Sequence, residues 1–325
     1  MIDLDRLLLA GWNMKKEKFL SNTIVVIIGA LICCFLWGSA FPFIKIGYKL
    51  LAIEASDTAS QLLFGGIRFF IAGILTVILG SIMQRKILVP KGREISETIK
   101  LSMFQTIGQY ILFYIGLAHT SGVRASIVEG TNVFVAIFVA GIIFKQEKIT
   151  VKKIIGSIIG FAGVILINVS GNSMGQGNVL SGDLLVFLST VCYALSSVML
   201  KNYSKKTNPV LLSGYQFIFG GLVMTLIGLI FKGRFPNINL SGMMVLVYLA
   251  FVSAIAYSLW GILLKYNPIS KVAVIGFMNP VFGVILSTIL LKEGTGFGLA
   301  AVISLLLICI GIIIVNIEKK KEAAH

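Results

Sequence analysis

Charged residues are scarce in this chain of 325 residues. Asp, Glu, Lys and Arg make up only 13% of it, about half of the ~25% that a soluble globular domain carries. Hydrophobic residues make up 57%, and the mean hydropathy is +0.96. So few charges cannot cover the surface of a soluble enzyme or scaffold, and the composition therefore indicates an integral membrane protein.

Residues that carry catalysis or bind metals are also few. The two histidines are His119, in a short predicted loop, and the terminal His325. No Ser-His-Asp set, metal-ligand cluster or G-x-x-x-x-G-K-[ST] phosphate loop occurs, so we predict no enzyme, no cofactor and no ATP-driven pump within this chain. The cysteines lie in apolar stretches and are expected to be small packing residues: Cys33, Cys34, Cys192 and Cys309.

Acidic residues are half as numerous as basic ones, 13 against 28, which gives a net charge of +15. The basic residues are spread over connections between apolar stretches and form no compact basic domain, so a nucleic-acid partner is excluded. Most of them fall in alternate connections, and cytoplasmic loops of membrane proteins hold the excess of Lys and Arg. We therefore predict a multi-pass protein of the cell (cytoplasmic) membrane with both termini in the cytoplasm.

Ten apolar stretches are each near the ~20 residues that cross the hydrocarbon core as a helix. The alternating apolar and polar pattern of a transmembrane barrel is absent. The sequence therefore predicts an all-α integral membrane protein with ten transmembrane helices. The spans are predicted at 24–44, 60–81, 98–118, 122–144, 153–169, 180–200, 211–231, 242–264, 270–291 and 296–316.

The two halves of the chain resemble each other. Gly66, Gly73 and Gly80 of the second span align with three glycines of the seventh: Gly214, Gly221 and Gly228. Each half holds five helices, an odd number, so equivalent helices cross the membrane in opposite directions and form an inverted repeat, as in many secondary transporters. We predict a cytoplasmic N-terminal segment (1–23), a first repeat (24–169), an extracytoplasmic linker (170–179), a second repeat (180–316) and a cytoplasmic basic tail (317–325).

Three segments carry a resemblance to a known family: "LWGSAFPFIK" in the first span, "GGIRFFIAG" in the second and "MNPVFGVILSTILLKEG" in the ninth. Because these three segments occur in this order, the chain resembles the ten-helix EamA-type branch of the drug/metabolite transporter superfamily. That resemblance implies one helical bundle that moves small organic solutes by alternating access, often outward. The first half departs from the pattern at Phe134, which stands where the second half has Pro280, and at Glu129.

Glu129 lies inside the fourth predicted span. A charged group at a helix centre costs about 2.5–3.5 kcal/mol on insertion scales, so such residues usually face the protein interior or a path for ions or substrates. Glu129 falls on a stripe of small residues, with Asn132 three positions later. We predict that it binds the positive charge of a substrate or a coupling proton. A structural charge pair with Arg68 of the second span is the alternative.

Aromatic and amide side chains occupy matching positions in the two halves. Trp37 aligns with Tyr193, and Tyr114 with Trp260. Rings around a carboxylate favour an organic cation, although anchoring at the membrane interface or ordinary packing also explains single rings. We predict a cavity between spans one, three and four and spans six, eight and nine, lined by Glu129 together with Trp37, Gln109, Tyr114, Asn132, Tyr193, Tyr257, Trp260 and Asn279.

The predicted function is that of a secondary active transporter that exports amino acids, amines or amphipathic drugs. Its partners would be a small-molecule substrate, cationic or aromatic, and membrane lipid, with proton coupling left open. The chain would act as a monomer or a homodimer. A lipid-handling or intramembrane protein and a passive, channel-like conduit are the alternatives.

Overall fold

A computed structural model describes residues 19–145, 149–170, 179–267, 272, 275–292 and 298–317. The predicted linker (170–179) and basic tail (317–325) lie largely outside the described residues. The described ranges contain helices and connections, and no strand. The helices are α1 (Thr23–Leu50), α2 (Thr58–Gln84), α3 (Arg93–His119), α4 (Gly122–Ile143), α5 (Val151–Ser170), α6 (Val179–Tyr203), α7 (Pro209–Ile230), α8 (Leu240–Tyr266), α9 (Met278–Leu291) and α10 (Gly298–Ile317).

These helices confirm the predicted helical membrane fold. Eight of them are long and apolar enough to cross a membrane, and α9 is a shorter apolar helix. In the ninth span, a 3-10 turn at Ile275–Phe277 directly precedes the α-helix that begins at Met278. Hydropathy located the span but not this turn, because the turn is as apolar as the helix that follows it.

Side-chain caps fix the starts of the helices at the short connections. Asn22, Asp57, Ser121, Asn208 and Asn239 each accept a hydrogen bond from a backbone N–H in the first turn that follows. The first N–H groups of a helix have no partner within it, so a capping oxygen stabilises the helix end. The helix starts are therefore set locally by the sequence.

The two halves of the chain interlock in one bundle. α1 packs against α8 and α9 of the second half, and α6 packs against α3 and α4 of the first. The remaining contacts between the halves are dominated by two pairs, α2 with α7 and α5 with α10. Because α1 and α6 hold equivalent places in the two repeats, each half supplies one helix to the centre of the other.

Glycines allow the backbones of α2 and α7 to touch. A Cβ atom added to Gly73 would lie 2.5 Å from the backbone nitrogen of Ile218 and 2.6 Å from the carbonyl oxygen of Gly214. From the other side, a Cβ added to Gly228 would lie 2.8 Å from the nitrogen of Leu63. Small residues permit such close approach of membrane helices, where van der Waals packing drives association. The aligned glycines of the two repeats therefore form a contact between the repeats.

We expect Gly73→Ala to destabilise the protein by about 1–3 kcal/mol, because its methyl group forces α2 and α7 apart. Gly261→Ala is the matched control: Gly261 is also buried within a helix, but the nearest atom to an added Cβ there is the Cβ of Pro209 at 3.5 Å. The control is expected to be neutral or to stabilise by up to ~1 kcal/mol through its better helix propensity. The thermal unfolding midpoints of the two purified variants test this, and equal midpoints would contradict it.

Candidate functional site

Helix α4 is not a continuous α-helix. Its first segment ends at Glu129, Gly130 and Thr131 form a turn, and a second segment begins at Asn132. The repeat-equivalent place before α9 holds the 3-10 turn at Ile275–Phe277. Discontinuous membrane helices are tolerated where they are buried in protein or line a cavity, and in transporters they commonly form the substrate site. Glu129 therefore lies at the interruption of its helix.

The Glu129 carboxylate is buried, with 8% of the residue exposed. The Asn132 side chain hydrogen-bonds to it, but its Oε2 atom has no hydrogen-bond partner in the protein. No described Lys or Arg forms a salt bridge with it. The hydroxyls of Tyr110, Tyr193 and Tyr257 lie within electrostatic range. Tyrosines from α3, α6 and α8 thus lie near an incompletely bonded carboxylate.

Further aromatic rings extend this group. The hydroxyls of Tyr110 and Tyr257 share a hydrogen bond of 2.8 Å, and the centroids of the Trp37 and Tyr257 rings are 5.4 Å apart. Trp37 also contacts Trp260, at 5.1 Å between centroids, and its indole Nε1 is buried without a hydrogen-bond partner. We call this set, contributed by α1, α3, α4, α6 and α8, the Glu129 cluster: Trp37, Tyr110, Glu129, Asn132, Tyr193, Tyr257 and Trp260.

Most of the residues singled out in the sequence are therefore neighbours in the structure. Two others lie on helices near the Glu129 cluster: Gln109 directly precedes Tyr110 on α3, and Asn279 lies on α9, four residues after Ile275, whose backbone oxygen accepts a hydrogen bond of 3.5 Å from the thiol of Cys34 in α1. Gln109 Oε1 and Asn279 Oδ1 are buried without a hydrogen-bond partner. Buried polar atoms in native proteins are nearly always hydrogen-bonded, so such unsatisfied atoms point to a binding role.

Arg68 and Tyr114 bind each other, and Tyr114 contacts the Glu129 cluster through Tyr110, at 6.1 Å between ring centroids. The Arg68 guanidinium donates hydrogen bonds to the hydroxyl of Tyr114 at 2.6 Å, to the Ser253 hydroxyl at 2.9 Å and to the backbone oxygen of Leu249 at 3.1 Å. The alternative pairing of Arg68 with Glu129 is therefore not formed in this structure. Tyr114 is fully buried at this arginine. The guanidinium points instead towards α3 and α8, where neutral oxygens bind it.

An ion pair that the sequence analysis missed joins the two halves. The guanidinium of Arg124, in the first turn of α4, contacts the Asp183 carboxylate of α6 at 2.5 Å from Nη2 and 3.0 Å from Nε. Thr120 donates to the other carboxylate oxygen at 2.5 Å. All three residues are buried. Asp183 lies at the edge of its predicted span, on the same predicted side of the membrane as Arg124. That shared side was the one sequence feature that could have predicted the ion pair.

A second carboxylate links the halves at the opposite end of the bundle. Glu97, near the start of α3, is buried. It accepts a hydrogen bond from Arg93 at 2.6 Å and one from Thr207, in the connection between α6 and α7, at 2.8 Å. Polar contacts between the two repeats are therefore present at both ends of the bundle, with the Glu129 cluster between them.

Comparisons with known proteins agree over most of the chain. The EamA-like transporter family matches residues 24–169 and 180–317. The uncharacterized transporter YvbV of Bacillus subtilis is 29% identical over 91% of this chain and 93% of its own length. An uncharacterized transporter of Archaeoglobus fulgidus is 29% identical over 88% of this chain and 92% of its own length.

More distant similarities point the same way. A WAT1-related chloroplast protein of Arabidopsis thaliana is 25% identical over 80% of this chain and 62% of its own length. A crystal structure with 17% sequence identity superimposes with a TM-score of 0.63 over 91% of this chain and 98% of its own. At that identity the superposition shows a shared fold alone.

Proposed function

Because the chain belongs to the EamA-like transporter family of the drug/metabolite transporter superfamily, we propose that it is a secondary active transporter that exports small organic cations. The transported molecule would be an amine with an aromatic or apolar body. It would be bound at the Glu129 cluster and carried by alternating access. Location in the cell membrane with both termini in the cytoplasm is part of the same proposal.

The observation that carries the proposal is the Glu129 carboxylate, which is buried with its Oε2 atom unbonded and has three tyrosines within electrostatic range. A buried carboxylate is costly unless it is paired with a cation or takes up a proton. An organic ammonium supplies the missing charge and donors. The ring faces of Trp37, Tyr257 and Trp260 would add cation–π attraction, about 0.5–2 kcal/mol for each well-placed ring. The cluster is therefore suited to an amine attached to an apolar body.

The contacts between the halves support alternating access. Arg124 with Asp183 joins the halves at the end predicted to face outside, and Glu97 with Thr207 joins them at the end predicted to face the cytoplasm. A carrier must open these ends in turn, because a path open at both ends would conduct passively. When Glu129 releases a proton or a substrate cation, its buried carboxylate is left with an unpaired negative charge. A proton and a substrate cation would therefore replace each other at this residue. Exchange of cytoplasmic amine for external protons would drive export.

A thermal-shift screen of the purified protein tests substrate binding. Tyramine, polyamines, amino acids and nucleosides are compared, with 4-ethylphenol as the neutral analogue of tyramine. We expect tyramine to raise the unfolding temperature, since a ligand at 100 times its Kd stabilises a folded protein by about 2.7 kcal/mol. At equal concentration, 4-ethylphenol should stabilise the protein less. Equal shifts from tyramine and 4-ethylphenol, or no shift from any amine, would contradict the proposal.

A further inference from the structure

Two glutamines of α3 are buried within the membrane span and incompletely hydrogen-bonded. Gln105 is 2% exposed and Gln109 is 4% exposed. The side-chain oxygen Oε1 of each has no hydrogen-bond partner in the protein. Because water is absent from the hydrocarbon core, polar groups there are expected to find partners inside the protein or in a bound molecule. Two neighbouring carbonyl oxygens that lack one require an explanation.

The polar neighbours of these glutamines on the same helix are, in contrast, satisfied. Ser102 donates to the backbone oxygen of Gln216 at 2.9 Å, and Thr106 donates to its Oε1 atom at 2.7 Å. This side of α3 therefore packs against α7. The stretch Met103–Gly108 is a π-helix, a wider turn that is rare and frequent at functional sites. Because a π-turn contains more residues than an α-turn, it changes which residues of α3 line up on each side of the helix.

Gln105, Gln109 and Phe113 follow one another at steps of four along a different side of α3. The ring of Phe113 contacts that of Phe41 in α1, at 5.7 Å between centroids, while Gly108 packs against α6. The two glutamines therefore lie on the side directed between α1 and α6, away from α7. α1 and α6 also carry the tryptophan and tyrosine that each repeat contributes to the Glu129 cluster. Both glutamines are buried and lie within about two turns of Tyr110, the residue that α3 contributes to the Glu129 cluster.

We propose that Gln105 and Gln109 form a hydrogen-bond acceptor site that makes the transporter selective for amines with N–H groups over quaternary ammonium ions. This inference rests on the proposed function and specifies its substrate class. Gln105 is the newly assigned residue, and it extends the site one turn along α3 from Gln109 towards the predicted cytoplasmic end.

The selectivity follows from the chemistry of the two groups of residues. Glu129 and the surrounding rings attract any organic cation, because charge and ring faces act on ammonium and tetraalkylammonium ions alike. Carboxamide oxygens accept hydrogen bonds and therefore interact strongly only with cations that carry N–H donors. A hydrogen bond from a charged donor is roughly twice as strong as one between neutral groups. Removal of one carboxamide should therefore affect the two cation classes differently.

The test measures binding of tyramine and of its N-trimethyl analogue, which carries no N–H group, to the purified full-length protein. Gln105→Met and Gln109→Met replace each carboxamide by an apolar side chain of similar length. Gln84→Met, at an exposed position at the end of α2, is the matched control. Unfolding temperatures without ligand establish whether each variant is folded. If one of the two glutamine variants does not fold, the other still tests the proposal.

We expect Gln105→Met to weaken tyramine binding about tenfold, equivalent to ~1.4 kcal/mol, and to leave binding of the trimethyl analogue within twofold of wild type. Gln109→Met should change binding in the same direction, and Gln84→Met should change the binding of neither probe. If Gln105→Met and Gln109→Met weaken both probes equally or neither, the acceptor site is contradicted while the proposed function stands. If neither probe binds the wild-type protein, or if Glu129→Gln binds both normally, the proposed function fails and the inference with it.

Discussion

Asp183→Asn is expected to lower the free energy of unfolding by about 3–5 kcal/mol, the range for breaking a buried ion pair. The Asp183 carboxylate accepts two hydrogen bonds from Arg124 and one from Thr120, and all three residues are buried. The amide that replaces the carboxylate carries no charge and turns one acceptor into a donor. The effect should be large because the pair joins α4 of one repeat to α6 of the other.

Thermal unfolding of the purified variant measures this loss. Glu54→Gln, which neutralises an exposed carboxylate in the connection after α1, is the control and should change stability by less than ~0.5 kcal/mol. The double variant Arg124→Gln with Asp183→Asn should recover part of the loss, because it removes both charges from the buried site. An Asp183→Asn protein as stable as wild type would show that the pair does not hold the repeats together.

Glu129→Gln is expected to weaken the binding of tyramine at least ~100-fold, or about 2.7 kcal/mol, while 4-ethylphenol binds as before. The substitution keeps the size of the side chain and removes its charge, so the loss should be confined to cations. Stability without ligand should be unchanged or higher, since a buried carboxylate with an unbonded oxygen is replaced by a neutral amide. This pattern is opposite to that of Asp183→Asn.

These opposite expected effects distinguish a carboxylate that binds substrate from one that only stabilises the fold. If Glu129 served only the fold, its loss would lower the unfolding temperature and affect cationic and neutral ligands equally. Glu54→Gln serves again as the control and should bind tyramine like wild type. Equal loss of tyramine and 4-ethylphenol binding in Glu129→Gln would contradict a charge-specific role.

The sequence predicted the helical fold and singled out Glu129 for simple physical reasons. A helix must be long and apolar to cross the membrane, so hydropathy alone locates the spans. A carboxylate in such a span is costly, so Glu129 stood out. Rings at equivalent positions of two repeats, such as Trp37 and Tyr193, were expected near one another because the repeats share a centre.

Hydropathy and residue patterns did not predict other features of the structure. The interruption of α4 at Gly130 and Thr131 is not marked by a proline, because Phe134 stands where the second repeat has Pro280. Phe134 is instead fully buried and contacts the ring of Phe161 on α5, at 5.9 Å between centroids. Breaks of this kind depend on packing between helices, which the local sequence does not encode.

The partners of buried charges were equally hard to predict. Hydropathy places Arg68 and Glu129 within two spans, but it does not say towards which neighbour a side chain points. The guanidinium is satisfied by Tyr114, Ser253 and a backbone oxygen. A charge in a membrane protein thus need not bind an opposite charge when neutral oxygens surround it.

Counterflow of radiolabelled tyramine in reconstituted vesicles tests most directly whether this transporter carries an organic cation on Glu129. Vesicles preloaded with unlabelled tyramine are mixed with a trace of labelled tyramine, and a carrier then accumulates label transiently, whereas a passive conduit only equilibrates it. The account predicts saturable accumulation with wild-type protein and Glu54→Gln, and its loss with Glu129→Gln. Accumulation by Glu129→Gln at the wild-type rate and affinity would contradict it.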